Sequence, residues 1–287
     1  MNIRKFTIVS MAILFFCVGA GRVTAEDGTV LSKDGVKIAY SVYGEGEPAL
    51  VFIHGWGGDR SVWKYQVPYF DKKYKVITID LGGFGLSGKE RALYSMKAFG
   101  EDVAAVVNKV NPSKVILFGH SMSGVIIFEA AARMPDKVIA VVGIDTIHDF
   151  EWRGTPDDIE KRIKPFQENF QKTADSFIRG MFVKGTDPKL IDEIAGKISS
   201  TDPKVGISSM EELMKTSYVD LPRTEAQVWA LDSDFWPVNM EHNRKYVPGF
   251  ELRIMPGLGH FIMLEAPDAF NEQLDKMIGE IIKRNKK

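Results

Sequence analysis

The sequence contains one cysteine, Cys17, and it lies inside an apolar segment near the N-terminus. Arg4 and Lys5 precede this segment, residues 6–18, and Val23-Thr24-Ala25 follows it with small residues. This arrangement is typical of a secretory signal peptide. We therefore expect residues 1–25 to be removed by cleavage after Ala25, which gives a secreted or periplasmic protein. The mature chain then has no cysteine, so it neither forms a disulfide nor uses a thiol nucleophile.

Apolar runs long enough to cross a bilayer are also missing from the sequence. Residues 6–18 are shorter than the roughly 20 residues that a membrane-spanning helix needs, which argues against an uncleaved anchor. A lipid anchor at Cys17 is disfavoured because the bulky Phe16 stands where a small residue would be expected. We therefore expect no stable membrane anchor after cleavage.

Basic tracts are limited to the C-terminal run Lys283-Arg284-Asn285-Lys286-Lys287. The formal net charge is −1 and becomes more negative once Arg4, Lys5 and Arg22 are removed. This balance argues against nucleic acid or an anionic membrane as a partner. Metal-ligand clusters, dinucleotide fingerprints and phosphate loops are also lacking, so we expect neither a cofactor nor a metal.

Short buried strands alternate with helical patterns along most of the chain. This alternation predicts an α/β fold: a mostly parallel sheet with helices on both faces. The hairpin around Lys33-Asp34-Gly35 predicts that the sheet begins with antiparallel strands. The buried runs after it cover residues 49–54, 75–80, 115–118, 138–144, 226–231 and 250–255.

The strand pattern stops between residues 147 and 224. Turn signals in this segment instead begin helices, since Thr155-Pro156, Asp187-Pro188 and Asp202-Pro203 each place a capping residue before a proline. We predict a helical cap, residues 147–224, inserted into a core of residues 26–146 and 225–287. Apolar side chains that could line an acyl pocket, although most would hold the cap together, are Phe150, Trp152, Phe166, Phe170, Phe177, Met181, Phe182, Met210 and Met214, with Trp56 and Phe261 from the core.

The segment Gly119-His120-Ser121-Met122-Ser123-Gly124 stands between an apolar strand pattern and a helical one. This order predicts a strand, a sharp turn and a helix, with Ser121 exposed at the tip of the turn. Gly119 and Gly124 allow the close backbone approach that such a turn requires. The same turn aims the Met122 N–H at the point where negative charge develops during acyl transfer.

Other residues that could do chemistry also follow predicted strands. They are the segment His54-Gly55-Trp56-Gly57-Gly58, Asp80, Asp145, Asp232 or Asp234, and the segment 257–261 with His260. Because reactive groups in an open parallel sheet lie at the carboxyl ends of the strands, these residues are expected in one layer with Ser121.

Together these motifs resemble the α/β-hydrolase superfamily. The resemblance rests on the His54-Gly55 turn, the loop from Asp80 to Ser87, the Ser121 turn and Gly259-His260 before a final helix. It implies an α/β-hydrolase fold and a catalytic triad in the chain order nucleophile, acid, histidine, here Ser121, Asp234 and His260. It also implies that the Trp56 N–H joins the Met122 N–H as an oxyanion donor. Asp145 and Asp232 remain alternatives for the acid.

A serine nucleophile implies an acyl-enzyme, so the expected partner is a small-molecule acyl substrate and the simplest activity is carboxylic ester hydrolysis. A serine aminopeptidase and a lactonase are alternatives of the same fold. An alternative of another class is a protein that keeps the fold and triad to bind a ligand without turnover.

Overall fold

The computed structural model describes residues 25–286. The predicted signal peptide therefore lies outside the described residues, apart from Ala25. The fold is built on an eight-stranded sheet with the order β1-β2-β4-β3-β5-β6-β7-β8. The strands are β1 Glu26–Leu31, β2 Lys37–Tyr43, β3 Ala49–Ile53, β4 Val76–Ile79, β5 Val115–His120, β6 Val138–Ile144, β7 Gln227–Ser233 and β8 Glu251–Met255.

Only the first two strands depart from a parallel arrangement. β1 pairs antiparallel with β2, and β2 pairs antiparallel with β4, whereas the pairs from β4 to β8 are all parallel. The parallel strands consist mainly of apolar residues, many of them β-branched. This composition suits strands that are covered by helices on both faces of the sheet. The predicted α/β fold with an initial antiparallel hairpin is confirmed.

The helices alternate with the strands as the sequence pattern indicated. They are α1 Val67–Phe70, α2 Met96–Val110, α3 Ser123–Arg133, α4 Pro156–Glu168, α5 Phe170–Arg179, α6 Pro188–Ser199, α7 Pro203–Lys215, α8 Met240–Tyr246, α9 Ile262–Glu265 and α10 Pro267–Asn285. Pro68 stands at the start of α1, and a short 3-10 turn, Arg60–Trp63, followed by α1 replaces one continuous helix at this point. Among residues 25–286, no helix combines the length and the apolar character that crossing a membrane requires.

Four helices, α4 to α7, lie between β6 and β7 and form the cap within the predicted segment 147–224. Three of them begin as expected: Thr155, Asp187 and Asp202 each accept a hydrogen bond from a backbone N–H of the first turn and precede a proline. The junction at Asn169, which caps the start of α5, divides what would otherwise be a longer helix.

The centre of the sheet is formed by β5, between β3 and β6. Phe118 of β5 stacks on Phe52 of β3 with a ring-centroid distance of 4.7 Å, and both side chains are fully buried. The parallel arrangement brings the carboxyl ends of β3, β5, β6 and β7 to the same edge of the sheet. The candidate site lies at this edge.

Candidate active site

Ser121 stands at a sharp turn directly after β5. Its backbone is left-handed, with φ +54°, a strained conformation for a residue with a side chain. A Cβ on Gly119 would lie 2.3 Å from the Ser123 carbonyl oxygen, and one on Gly124 would lie 2.3 Å from Thr146 Oγ1. Because such contacts are not tolerated, both glycines are required for the tight turn from β5 into α3.

The loop that follows β3 packs directly against this turn. A Cβ on Gly55 would lie 3.0 Å from the Ser121 Cβ, so the two backbones are in close contact. The Ser123 hydroxyl donates a hydrogen bond of 2.5 Å to the His54 carbonyl oxygen and ties the loop to the turn. Within residues 25–286, the backbone N–H groups of Trp56 and Met122 have no protein acceptor outside regular helices and strands. Both groups therefore remain available for an oxygen beside Ser121.

His260 lies in the loop between β8 and α9, and its backbone is held on two sides. Its N–H donates to the Met181 carbonyl oxygen at 2.8 Å. The Glu265 carboxylate accepts hydrogen bonds of 3.1 Å from the flanking N–H groups of Gly259 and Phe261. The Trp236 ring meets the imidazole edge-on at a centroid distance of 5.0 Å. The imidazole thus has one orientation at the wall of the cavity that Ser121 also lines.

The carboxylate that contacts His260 belongs to Asp145, at the end of β6. Asp145 Oδ2 lies 2.6 Å from His260 Nδ1, and its Oδ1 accepts hydrogen bonds of 2.7 Å from both the N–H and the hydroxyl of Ser233. Burial alone would raise the pKa of Asp145, but the hydrogen bonds from His260 and Ser233 outweigh it and lower that pKa. Asp145 is therefore a carboxylate at neutral pH.

The geometry corrects the prediction that Asp234 is the partner of His260. β7 continues through Ser233, two residues beyond the predicted end at residue 231, so Asp234 lies past the edge of the sheet and is exposed. Its carboxylate accepts a hydrogen bond of 2.7 Å from the Gly257 N–H and links the loops after β7 and β8. Asp234 therefore supports the loop that carries His260 and does not contact the imidazole.

Asp232, the other alternative, is fully buried within β7. Its Oδ1 accepts from the Thr146 N–H at 3.3 Å, and its Oδ2 has no hydrogen-bond partner. Burial, and then the nearby charge of Asp145, raise the pKa of Asp232 well above its ordinary value. The site therefore favours the protonated, neutral form of Asp232 over the carboxylate.

Two further histidines are structural. His54 Nε2 accepts from the Leu81 N–H at 3.1 Å while its Nδ1 meets the Gly55 carbonyl oxygen at 2.8 Å, so the ring braces its loop. Burial and the neighbouring His260 lower the pKa of His120 to about 3. Its Nε2 lies 3.0 Å from the His260 carbonyl oxygen and must carry the proton, since a carbonyl only accepts.

A cavity of about 460 Å³ opens at Ser121 and His260 and extends under the cap. A second, smaller cavity of about 80 Å³ lies on the side of Trp56 and Phe261 and also reaches Ser121. Of the proposed pocket residues, those that line one or both cavities are Trp152, Phe177, Met181, Met210, Met214, Trp56 and Phe261. Four others, Phe150, Phe166, Phe170 and Phe182, are buried and line neither cavity.

In the described part of the chain, Asp145, His148 and Asp232 form the group whose spacing could hold a metal ion, with one ligand atom of each within 4.8 Å of the others. Both oxygens of Asp145 are already hydrogen-bonded to His260 and Ser233. The raised pKa of Asp232 also favours its neutral form, which is a poor ligand. The donor set thus fits hydrogen bonding to the imidazole better than metal binding.

The family model for the alpha/beta hydrolase fold matches residues 48–251. The chain belongs to the alpha/beta hydrolase family. This match confirms the resemblance drawn from the motifs, and it spans β3 to β7, the Ser121 turn and the cap.

Proteins similar to this chain include both esterases and a receptor. A pimeloyl-[acyl-carrier protein] methyl ester esterase of Yersinia enterocolitica is 25% identical over 82% of this chain and 95% of its own length. The karrikin insensitive 2 receptor CA of Petunia hybrida is 23% identical over 61% of this chain and 68% of its own. Among solved structures, a thermophilic esterase from Thermogutta terrifontis with malate bound has a TM-score of 0.78 at 22% identity, over 90% of this chain and 99% of its own.

Proposed function

We propose that this alpha/beta hydrolase is a serine hydrolase that cleaves carboxylic esters through an acyl-enzyme. The observation that carries the proposal is the short Asp145–His260 contact beside a strained, cavity-lining serine. Esterases among the relatives of similar length support the choice of ester over other acyl substrates.

The proposed acylation step begins when Ser121 Oγ attacks the ester carbonyl carbon and passes its proton to His260 Nε2. Because Asp145 accepts the Nδ1 proton of the imidazole, Nε2 is left unprotonated and can act as the base. The carbonyl π electrons move onto oxygen, and the Trp56 and Met122 N–H groups stabilise this oxyanion. The tetrahedral intermediate collapses, the alcohol leaves with the proton from His260, and the acyl group stays on Ser121.

Deacylation repeats these steps with water as the nucleophile. His260 takes a proton from the water while the water oxygen attacks the acyl carbon, and the same two N–H groups bind the new oxyanion. Collapse of this intermediate breaks the bond to Ser121 Oγ, returns the proton to Ser121 and releases the carboxylic acid. Asp145 remains ionised throughout and stabilises the transient imidazolium.

Replacement of Ser121 tests the nucleophile. We expect Ser121→Ala to lower the kcat for a short activated ester by about 10⁴-fold or more while the protein remains folded by circular dichroism. A fluorophosphonate should label the wild type stoichiometrically and should not label this variant. Unchanged hydrolysis by folded Ser121→Ala would contradict the proposal.

The similarity to a receptor supports a second candidate, a ligand-binding protein with negligible turnover. Pre-steady-state kinetics separates the two. A stoichiometric burst of alcohol with almost no steady-state rate would favour the receptor-like function, whereas sustained turnover supports the hydrolase.

A further inference from the structure

The larger cavity contains few charged side chains, and most of them are already engaged. Asp145 is bonded to His260 and Ser233. Asp149 accepts hydrogen bonds from the Glu151 N–H at 2.8 Å and from Asn239 at 3.3 Å, and lies 2.9 Å from His242 Nδ1. Neither carboxylate is therefore free to bind the amine of a substrate, which disfavours an aminopeptidase.

Among residues 25–286, Arg162 of α4 is the one lysine or arginine whose side chain lines this cavity. Its guanidinium lies 5.9 Å from the ring centroid of Phe177, which also lines the cavity and attracts the cation weakly. No carboxylate of residues 25–286 lies within 4.0 Å of it. The acid one turn earlier on the helix, Asp158, is committed to the N-cap through two hydrogen bonds with Thr155. The cavity wall thus carries an exposed guanidinium that, among residues 25–286, has no direct ion-pair partner.

The two cavities that meet at Ser121 also differ in size. The smaller one, about 80 Å³, has apolar and aromatic walls and suits a short alcohol group. The larger one, about 460 Å³, has room for an acyl chain of several carbons and has Arg162 in its wall. With the short alcohol group in the smaller cavity, the acyl chain lies in the larger one, whose wall carries the guanidinium.

We propose that Arg162 binds a carboxylate at the far end of the acyl chain, so that the preferred substrates are short-alcohol monoesters of dicarboxylic acids. This inference rests on the proposed ester hydrolysis at Ser121. A guanidinium and a carboxylate form charge-assisted and often bidentate hydrogen bonds, and the mostly apolar lining of the cavity suits the methylene chain that joins the two groups.

A matched pair of esters tests the proposal. Monoethyl adipate and ethyl hexanoate share the ethyl group and the chain length and differ in a terminal carboxylate against a methyl group. We expect Arg162→Gln to lower kcat/KM for monoethyl adipate by about tenfold, as for a partly exposed charge-assisted hydrogen bond, and that for ethyl hexanoate by less than about twofold. Arg162→Lys should retain part of the preference, because it keeps the charge and loses the planar fork.

Lys164→Gln is the matched control, since it removes a cation from the same helix without touching the cavity. It should alter neither rate. In addition, adipate binding to Ser121→Ala, measured by calorimetry, should weaken about tenfold when Arg162→Gln is added, which needs no turnover.

The two proposals fail in different ways. If hydrolysis of both esters depends on Ser121 but Arg162→Gln changes both rates equally or neither, the carboxylate inference is wrong and the hydrolase stands. If Ser121→Ala hydrolyses ethyl hexanoate like the wild type, or the wild type hydrolyses neither ester, ester hydrolysis at Ser121 is wrong. If adipate binds Ser121→Ala equally well with and without Arg162→Gln, the carboxylate inference is wrong whatever the hydrolysis rates.

Discussion

Asp145 and Asp234 can be separated by a pair of conservative substitutions. Asp145→Asn removes the charge that accepts the His260 Nδ1 proton, so the imidazole can adopt the wrong tautomer; we expect kcat to fall by about 10³- to 10⁴-fold. Asp234→Asn keeps an oxygen for the Gly257 N–H on an exposed loop and should change kcat by less than about threefold. Steady-state kinetics on an activated ester gives both values. Equal losses in the two variants would contradict the assignment of Asp145.

The carboxylate partner of His260 is the residue that the sequence patterns placed wrongly, and the reason is a strand end. Asp145, Asp232 and Asp234 all follow or end apolar runs, so all three were expected at the same edge of the sheet. Which one meets His260 depends on the extension of β7 to Ser233, whose N–H and hydroxyl hold Asp145. A shift of two residues in a strand boundary decides this contact, and apolar periodicity does not locate boundaries to that accuracy.

The second buried acid, Asp232, should make the stability of the protein depend on pH. Its folded-state pKa is raised, so the folded protein keeps a proton that the unfolded chain has already lost. Stability then falls as pH rises from the ordinary aspartate pKa through the folded one. Asp232→Asn has no such proton to lose. We therefore expect the free energy of unfolding of Asp232→Asn, minus that of the wild type, to be larger at pH 8 than at pH 5.

Urea unfolding at the two pH values measures this difference, and Asp234→Asn on the exposed side of the same segment is the matched control. The comparison between variant and wild type also removes most of the opposite contribution of Asp145, whose lowered pKa makes stability fall as pH falls. The same variant-to-wild-type difference at both pH values would show that Asp232 does not hold a proton in the folded protein.

At the scale of elements, the contact between the Ser121 turn and the loop after β3 depends on Ser123. Its hydroxyl donates to the buried His54 carbonyl oxygen, two residues before the Trp56 N–H. Ser123→Ala leaves that oxygen without this donor, at a cost of about 1–3 kcal/mol of unfolding free energy. Because the loop carries one proposed oxyanion donor, kcat should fall more than KM rises. Ser200→Ala, on the exposed end of α6, is the control and should change neither.

Sequence patterns predicted the elements that carry strong local signals. Thr155, Asp187 and Asp202 before prolines located three cap helices, and Gly119 and Gly124 located the turn at Ser121. Long-range contacts gave no such signal. The hydroxyl bridge from Ser123 to His54 was missed, as was the support of the His260 loop by Glu265, because partners far apart in sequence leave no periodic trace.

Across the whole molecule, Trp56 joins the core to the cap. Its backbone belongs to the core loop beside Ser121, whereas its indole Nε1 donates a hydrogen bond of 2.8 Å to the Gly206 carbonyl oxygen of α7. The ring also packs against Phe166, Phe170 and Phe177 of the cap, at centroid distances of 5.5–6.0 Å. A displacement of the cap would therefore pull on the loop that holds a proposed oxyanion donor.

Trp56→Phe tests this link, because phenylalanine keeps an aromatic ring and removes the donor to Gly206. We expect the loss of about 1 kcal/mol of core–cap interaction, which should speed proteolytic cleavage within the cap severalfold. The kcat for an activated ester should fall in the same variant. Trp152→Phe changes an exposed tryptophan of the cap, 53% accessible, and should leave the cleavage rate unchanged. If Trp56→Phe resists proteolysis like the wild type, the cap is held by its other contacts and the indole hydrogen bond does not couple it to the active site.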